Sequence, residues 1–176
     1  MNIALLTAQD AKPYRSLMLQ AYEQVADAFT SSVEERAAES ESWWIERIGG
    51  PGLGKAAFGA FLNGELVGSV ALAFSRKVKT RHRVQLLGMF VSPRNRGLGV
   101  GQALLEAAGQ YALARDGVRS IVLTVTDGNA PAMELYRAFG FESFGTEPMA
   151  IRTPSGFKAK VHMWKSLVPG DRDVLP

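Results

Sequence analysis

Residues 91–101 read VSPRNRGLGVG, and this stretch decides how the rest of the chain is interpreted. It joins an apolar run that ends at Val91 to a segment in which apolar residues recur at helical spacing. The glycines at positions 97, 99 and 101 lack the Cβ atoms that would keep a ligand away from the backbone. The first N–H groups of a helix have no partner within it, and the helix dipole attracts negative charge. The stretch therefore predicts an anion-binding turn between a buried strand and a helix.

Arg96 strengthens this prediction, because a guanidinium carries forked donors that suit phosphate oxygens. Two other phosphate-binding turns fit less well. A Rossmann turn has the spacing G-x-G-x-x-G, and a P-loop ends in Gly-Lys-Ser/Thr; this turn has neither. A glycine-rich surface loop without a ligand is the remaining alternative. It is disfavoured because glycines at a helix start cost stability unless the bare backbone is needed.

The whole chain gives helix and strand signals in the order β-α-α-β-β-β-α-β-α-β-β. The first helix is predicted over residues 11–26, with Asp10 as its cap. The second is predicted over residues 32–48, because Ser32 and Glu35 form a capping box. This order predicts an α/β domain with three layers, helix–sheet–helix, around one mixed, mainly antiparallel sheet.

Two further signals fix turns within that order. Asn63-Gly64, between two apolar runs, predicts a β-hairpin. Asn129 followed by Pro131 predicts the start of the last helix, because Asn caps helices well and Pro is favoured just inside them.

Length and composition limit the number of domains and the classes of function that the chain can have. The 176 residues predict a single domain, expected over residues 1–168, with a flexible tail over 169–176. The absence of cysteine excludes a disulfide framework, a Cys-ligated zinc site and a cysteine nucleophile. The N-terminus does not have the pattern of a signal peptide, and no apolar run approaches the ~20 residues of a membrane span. We therefore expect a cytoplasmic protein without a membrane partner.

The charge is mildly positive, at +3, although the isoelectric point is about 9.3. Nucleic-acid binding needs many clustered cations, so this balance argues against DNA or RNA as a partner. The basic residues do concentrate in residues 76–83, RKVKTRHR. That segment is either a solvated turn or a patch that attracts an anionic ligand.

Arg96-x-x-Gly99-x-Gly101 resembles the Q/R-x-x-G-x-G/A signature of the GNAT superfamily of N-acetyltransferases. The resemblance covers residues 66–163 well and the first two helices loosely. It includes residues that also match the family's later N-x-x-A-x-x-L-Y-x-x-x-G-F pattern: Asn129, Ala132, Leu135, Tyr136, Gly140 and Phe141.

The resemblance implies acetyl-CoA as the acetyl donor, no metal, and a splayed pair of strands whose exposed backbone binds the pantetheine arm. The implied contacts lie in the strand before the turn, in the turn and at the last helix: Met89, Phe90, Val91, Arg96, Gly97, Gly99, Val100, Gly101 and Asn129. A backbone N–H of the strand would stabilise the thioester oxygen, and the turn would hold the pyrophosphate. For Asn129, helix capping alone is an alternative explanation.

The implied reaction is direct transfer of the acetyl group to a primary amine of a small molecule or peptide, in a ternary complex with no acyl-enzyme. Tyr136 would protonate the departing sulfur; its alternative role is that of a core aromatic residue. A non-catalytic acyl-CoA-binding or sensing module of the same fold is the alternative function.

The sequence does not identify the general base. Gln85 occupies a position where some family members have Glu, and Lys158 and Lys160 lie where relatives often have acids. Glu34 and Glu35 are candidates, but first-turn helix acids are common. The two histidines, at positions 82 and 162, and a water chain are further alternatives.

The acceptor side is also left open. Trp43 and Trp44 are adjacent and cannot share a helix face, so one is expected in the core and the other at a cleft or subunit interface. The basic turn at 76–83, with Lys158 and Lys160, suggests tolerance for a negatively charged acceptor; ordinary surface solvation is the alternative explanation. The identity of the amine, the length of the acyl donor and the oligomeric state remain open. A homodimer is one alternative, because exposed edge strands in this fold often pair.

Overall fold

The protein is described by a computed structural model that covers residues 1–50 and 53–168. The described residues form seven strands: β1 (Asn2–Leu5), β2 (Lys55–Leu62), β3 (Glu65–Phe74), β4 (Arg83–Val91), β5 (Ser120–Thr126), β6 (Glu142–Thr153) and β7 (Gly156–Ser166). They also form five α-helices: α1 (Ala11–Gln24), α2 (Val33–Ala37), α3 (Glu41–Ile48), α4 (Val100–Leu113) and α5 (Ala130–Ala138).

The strands form one sheet in the order β1-β2-β3-β4-β5-β7-β6. All neighbouring pairs are antiparallel except β4 and β5, which run parallel. The predicted mixed, mainly antiparallel sheet is therefore confirmed.

The single parallel pair is the point where the sheet opens. β4 and β5 are paired only over Arg83–Gln85 and Ser120–Val122, so the second half of β4 has no partner on that side. A bulge against β3 lies in this half, where Gly88 has φ = +63°. A bulge increases local twist and bends a strand. The splayed strands implied by the resemblance are confirmed.

Helices cover both faces of the sheet. α4 and α5 contribute to one core, in which Leu104 and Ile121 are 0% and 1% exposed. α1 and α3 contribute to the other, in which Tyr14 and Trp44 are both 0% exposed. The sheet therefore lies between two helical layers, and the three-layer prediction is confirmed.

The predicted second helix is wrong in its extent, because the chain forms two helices there, α2 and α3. The Ser32–Glu35 capping box is present, with Glu35 N–H donating to Ser32 Oγ at 3.2 Å and Ser32 N–H to Glu35 Oε2 at 2.9 Å. The break falls before Ser40, whose Oγ accepts from the Trp43 N–H at 3.2 Å. A serine side chain competes for helical N–H groups and so starts a new helix.

Smaller differences occur at the first helix and the hairpin. α1 ends at Gln24. Asp10 is its N-cap residue, as predicted, but the Asp10 carboxylate accepts from the Thr7 N–H at 2.8 Å and makes no hydrogen bond to α1. The predicted hairpin is confirmed, with φ = 50° at Asn63 and 83° at Gly64, as a type I′ turn requires. The predicted tail over residues 169–176 lies outside the described residues.

Candidate active site

The opening between β4 and β5 continues into a cleft of about 490 Å³. One wall comes from the bulged half of β4, including Gly88 and Met89, and another from the end of β5 and the start of α5. The third wall comes from α1, the loop after it, α2 and α3. The cleft thus passes through the sheet layer at the point where strand pairing stops.

The turn that follows β4 presents free backbone donors. Within the described chain, the N–H groups of residues 97–102 have no hydrogen-bond acceptor, and the first bond of α4 runs from Ala103 to the Gly99 carbonyl at 3.0 Å. Gly97 and Gly99 have φ = +76° and +75°, and Gly99 is the N-cap of α4. The predicted turn between strand and helix is therefore formed, with its amides unpaired and in position for an anion.

The conformation at Gly99 leads to a stability prediction. Gly99→Ala is expected to lower the free energy of unfolding by about 1 kcal/mol, because the left-handed region is costly for a residue with a Cβ. Gly145→Ala is the matched control, since Gly145 has no positive φ and no atom within 4 Å of an added Cβ. Urea unfolding measures both variants. Equal midpoints would contradict the assigned conformation.

The glycine at position 101 has a different explanation from the one the sequence suggested. A Cβ there would lie 3.0 Å from Leu135 Cδ2 and 3.3 Å from Met89 Cε. Close packing between α4, α5 and β4 is therefore enough to account for Gly101. By contrast, a Cβ at Gly97 or Gly99 would meet no atom within 4 Å.

Arg96 holds the turn to the end of β4. Its Nε donates to the Val91 carbonyl at 3.1 Å, and its Cζ lies 6.0 Å from the centre of the Phe90 ring. The rest of the guanidinium makes no hydrogen bond with the described chain, and the side chain is exposed. Those donors are free for a phosphate group beside the unpaired amides.

The predicted contact residues of β4 divide between the cleft and the core. Met89 lines the cleft. Phe90 is 4% exposed and packs in the α1–α3 core, so only its backbone is available to a ligand. Val91 is half-buried against the α4 core and accepts the Arg96 hydrogen bond.

The same cleft is lined by two predicted site residues from the α5 segment, Asn129 and Tyr136. Asn129 caps the helix, because its Oδ1 accepts from the Ala132 N–H at 3.4 Å, so the predicted cap is confirmed. Tyr136 is 6% exposed and contacts the edge of Phe141 at 5.8 Å between ring centres. Burial raises the pKa of Tyr136 well above its usual value, so the phenol is protonated at neutral pH.

Comparison with known proteins agrees with this geometry. Residues 18–141, which include the turn, the bulged strand and α5, match the acetyltransferase (GNAT) family. This chain belongs to the GNAT family.

The relatives that this chain matches are named for different substrates. A streptothricin acetyltransferase from Streptomyces lavendulae is 34% identical over 85 residues, which are 48% of this chain and 43% of that protein. The L-amino acid N-acetyltransferase AaaT of Escherichia coli K12 is 32% identical over 108 residues, 61% of this chain and 65% of AaaT. The chain thus spans about half of the length of the curated relatives it matches.

A solved structure confirms the shared fold. The phosphinothricin acetyltransferase of Sinorhizobium meliloti, in complex with AcCoA, superimposes with a TM-score of 0.82 at 21% identity. The match covers 97% of this chain and 90% of that one. Among the described residues, no helix has both the length and the apolar character that crossing a bilayer requires.

None of the predicted base residues, Glu34, Glu35, His82 and His162, lines the cleft of this GNAT chain. Glu35 is used in the capping box, and Glu34 is exposed on the same helix turn. His162 faces a neighbouring hollow of about 580 Å³ and lies 3.3 Å from Glu147. His82 is exposed in the basic turn. Gln85 does line the cleft, but an amide is not a useful proton acceptor.

The cleft instead contains four cations that the sequence analysis missed or treated only in passing: Arg36, Arg47, Lys55 and Lys160. Its lining includes no Asp, Glu or His from the described part of the chain. Burial lowers the pKa of Lys160, and the negative charge of Glu147 opposes that shift. The cleft is therefore positive, and this sign restricts what can bind in it.

The lysines and tryptophans that the sequence analysis named have different environments in the structure. Lys158 pairs with Asp27 at 2.5 Å and is occupied, whereas the basic turn at 76–83 borders the neighbouring hollow. Trp44 is fully buried, as expected for one of the two, whereas Trp43 is half-buried, packs against the same core and is not among the cleft-lining residues.

Asp27 anchors the loop that closes the cleft. Besides its salt bridge to Lys158, its backbone carbonyl accepts from Thr126 Oγ1 at 2.6 Å. The cleft-lining residues 28–31 follow directly. Two strands, β5 and β7, thus hold the start of this loop in place.

Proposed function

We propose that this chain transfers the acetyl group of acetyl-CoA to a primary amine through a ternary complex. The observation that carries the proposal is that an unpaired strand edge, an anion-binding turn and a buried phenol meet at one cleft. Bound acetyl-CoA supplies the thioester. The non-catalytic acyl-CoA-binding module remains the alternative function.

The turn and the open strand match the two chemically different parts of the donor. The free amides of residues 97–102 and the guanidinium of Arg96 bind the pyrophosphate. The unpaired half of β4 offers backbone groups to the amides of the pantetheine arm. A backbone N–H near the bulge at Gly88 donates to the thioester oxygen as negative charge develops there.

The protons balance in a direct transfer. The amine nitrogen forms a bond to the acetyl carbon and loses one proton, while the carbon–sulfur bond breaks and the sulfur gains one. Tyr136 donates its O–H proton toward the sulfur, and the proton released by the nitrogen restores the neutral phenol. The two reactants are held together in one cleft, which supplies much of the rate.

The positive cleft removes the need for a carboxylate base. Cations near an ammonium group disfavour its charged form, so Lys160 favours binding of the neutral amine. The ammonium then loses its proton to water before binding.

The pH profile tests this point. We expect kcat/KM to rise about tenfold per pH unit until the pKa of the acceptor amine and then to level, because only the neutral amine attacks. The inflection lies near 8 for the N-terminal amine of a peptide and above 10 for a lysine-like amine. Tyr136 contributes no inflection, since burial raises its pKa.

Comparing two amines of different pKa provides the control. An inflection that stays at the same pH when the amine is changed would show that an enzyme group is the base. Lys160 would then be the first residue to substitute.

The activity itself is tested by following free thiol from acetyl-CoA with amino acids, polyamines, aminoglycosides and peptides, with calorimetry of CoA binding alongside. Thiol release that depends on the amine supports the proposal. Tight CoA binding without release across the panel would favour the non-catalytic module. Absence of CoA binding would remove both.

A further inference from the structure

Two arginines of the third wall of the cleft lie close to one indole, that of Trp43. The Cζ atoms of Arg36 and Arg47 are 4.6 Å and 5.5 Å from the centre of the Trp43 ring. Cation–π contacts of this kind fix a guanidinium without neutralising it. Both arginines line the cleft. The half-buried Trp43 therefore holds two positive charges at the wall of the cleft that α2 and α3 form.

The two arginines differ in their partners. Arg36 has a carboxylate at 3.3 Å, from Glu39, and donates to Ser31 Oγ at 2.5 Å. Arg47 has no acidic partner within 4 Å among residues 1–50 and 53–168. The buried Nε atoms of both arginines lack a hydrogen-bond acceptor there, so the difference between them is the carboxylate partner. Arg47 is thus the uncompensated charge of the pair.

Two further polar groups accompany Arg47, one on the cleft wall and one in the α1–α3 core. Lys55, at the start of β2, also lines the cleft and has no ion pair in the described chain. The Tyr14 hydroxyl is fully buried; burial raises its pKa to about 12, and the positive charge of the neighbouring Arg47 opposes that shift. It points toward the β4 bulge, since it lies 3.8 Å from the position of a Cβ at Gly88.

Uncompensated, partly desolvated cations cost free energy unless a ligand supplies the opposite charge. No Asp or Glu of the described chain lines this cleft, so the ligand must supply that charge. A guanidinium matches the two oxygens of a carboxylate in a bidentate contact.

We infer that the acceptor is an amine that also bears a carboxylate, of amino-acid size, and that Arg47 binds this carboxylate with help from Lys55. The inference rests on the proposed acetyl transfer and specifies its substrate class. With the carboxylate at Arg47, the amine faces the opening between β4 and β5. The volume of about 490 Å³, shared with the end of the donor, suits a small acceptor better than a folded protein surface.

The test compares L-amino acids with their carboxamides, for example L-phenylalanine with L-phenylalaninamide. Rates are expressed per concentration of neutral amine, because amidation lowers the pKa of the α-amino group. We expect the wild type to prefer the carboxylate at least tenfold in kcat/KM. Arg47→Gln should reduce that ratio about tenfold, the size of one lost hydrogen bond to a charged group.

The ratio of kcat/KM for the amino acid to kcat/KM for its carboxamide reports carboxylate recognition alone. A variant that is only misfolded or less stable would lower both values together and leave the ratio unchanged. Arg81→Gln, an exposed arginine of the basic turn, is the matched control and should leave the ratio unchanged. Arg47→Lys should retain part of the preference, because it keeps the charge without the fork. If Arg47→Gln does not fold, Lys55→Gln carries the same test at an exposed position.

The outcomes separate this inference from the proposed function. Equal turnover of acid and amide, or a preference that neither variant changes, would overturn the inference while leaving acetyl transfer intact. No turnover of any amine would count against the proposed function instead. A third arm with an aminophosphonate distinguishes a carboxylate site from a general oxyanion site, and a stronger preference for the phosphonate would overturn the assignment to carboxylates.

Discussion

Tyr136→Phe is expected to lower kcat by on the order of a hundredfold, and at least tenfold, while CoA affinity stays nearly unchanged. The substitution removes one oxygen from a buried ring, so the packing against Phe141 is kept. What is lost is the proton donor for the sulfur as the carbon–sulfur bond breaks. Steady-state kinetics, together with calorimetry of CoA binding, measure the two quantities separately.

Tyr111→Phe is the matched control for this prediction. Tyr111 is a half-buried phenol on α4 that packs against Phe58 and Phe74 and does not line the cleft. Its loss should leave kcat within about twofold. An undiminished kcat in Tyr136→Phe would remove that residue from the mechanism.

Arg96→Gln is expected to weaken CoA binding on the order of thirtyfold, because it deletes a charged hydrogen bond to phosphate and the bond to the Val91 carbonyl. The effect should depend on the pyrophosphate. Binding of acetyl-pantetheine, which lacks that group, should change little. Calorimetry with both ligands gives the comparison.

Arg94→Gln provides a neighbouring control, since Arg94 is also exposed and makes no hydrogen bond with the described chain. It should leave the affinity for CoA within about threefold. Equal losses for CoA and acetyl-pantetheine in Arg96→Gln would instead indicate that Arg96 acts only by holding the turn against β4.

Features determined by a few neighbouring residues could be predicted from the sequence. The hairpin at Asn63-Gly64 and the cap at Asn129 each depend on one side chain or one backbone conformation. The turn after Val91 is local in the same sense. The extent of the second helix could not be predicted, because helix-forming residues stand on both sides of Ser40, and a serine there can lie within a helix or start a new one.

The acceptor side depends on contacts between distant segments. Arg36 and Arg47 belong to different helices, and only the packing of α2 and α3 around Trp43 brings both to the cleft. Lys55 joins them from a strand. A sequence shows that such cations exist but not which of them lack a carboxylate partner. An aromatic residue with arginines four before or after it on one helix, as with Trp43 and Arg47, is the partial signal that was available.

The short pairing between β4 and β5 has a mechanical consequence. Strands β1–β4 and strands β5–β7 are joined within the sheet by only three residue pairs, and the interrupted ladder ends beside the bulge. A ligand whose amides pair with the free edge of β4 would add hydrogen bonds between strands β1–β4 and strands β5–β7. Binding of that ligand would fill the gap and connect the two halves of the sheet at the same time. The free energy of unfolding would therefore rise when the substrate is bound.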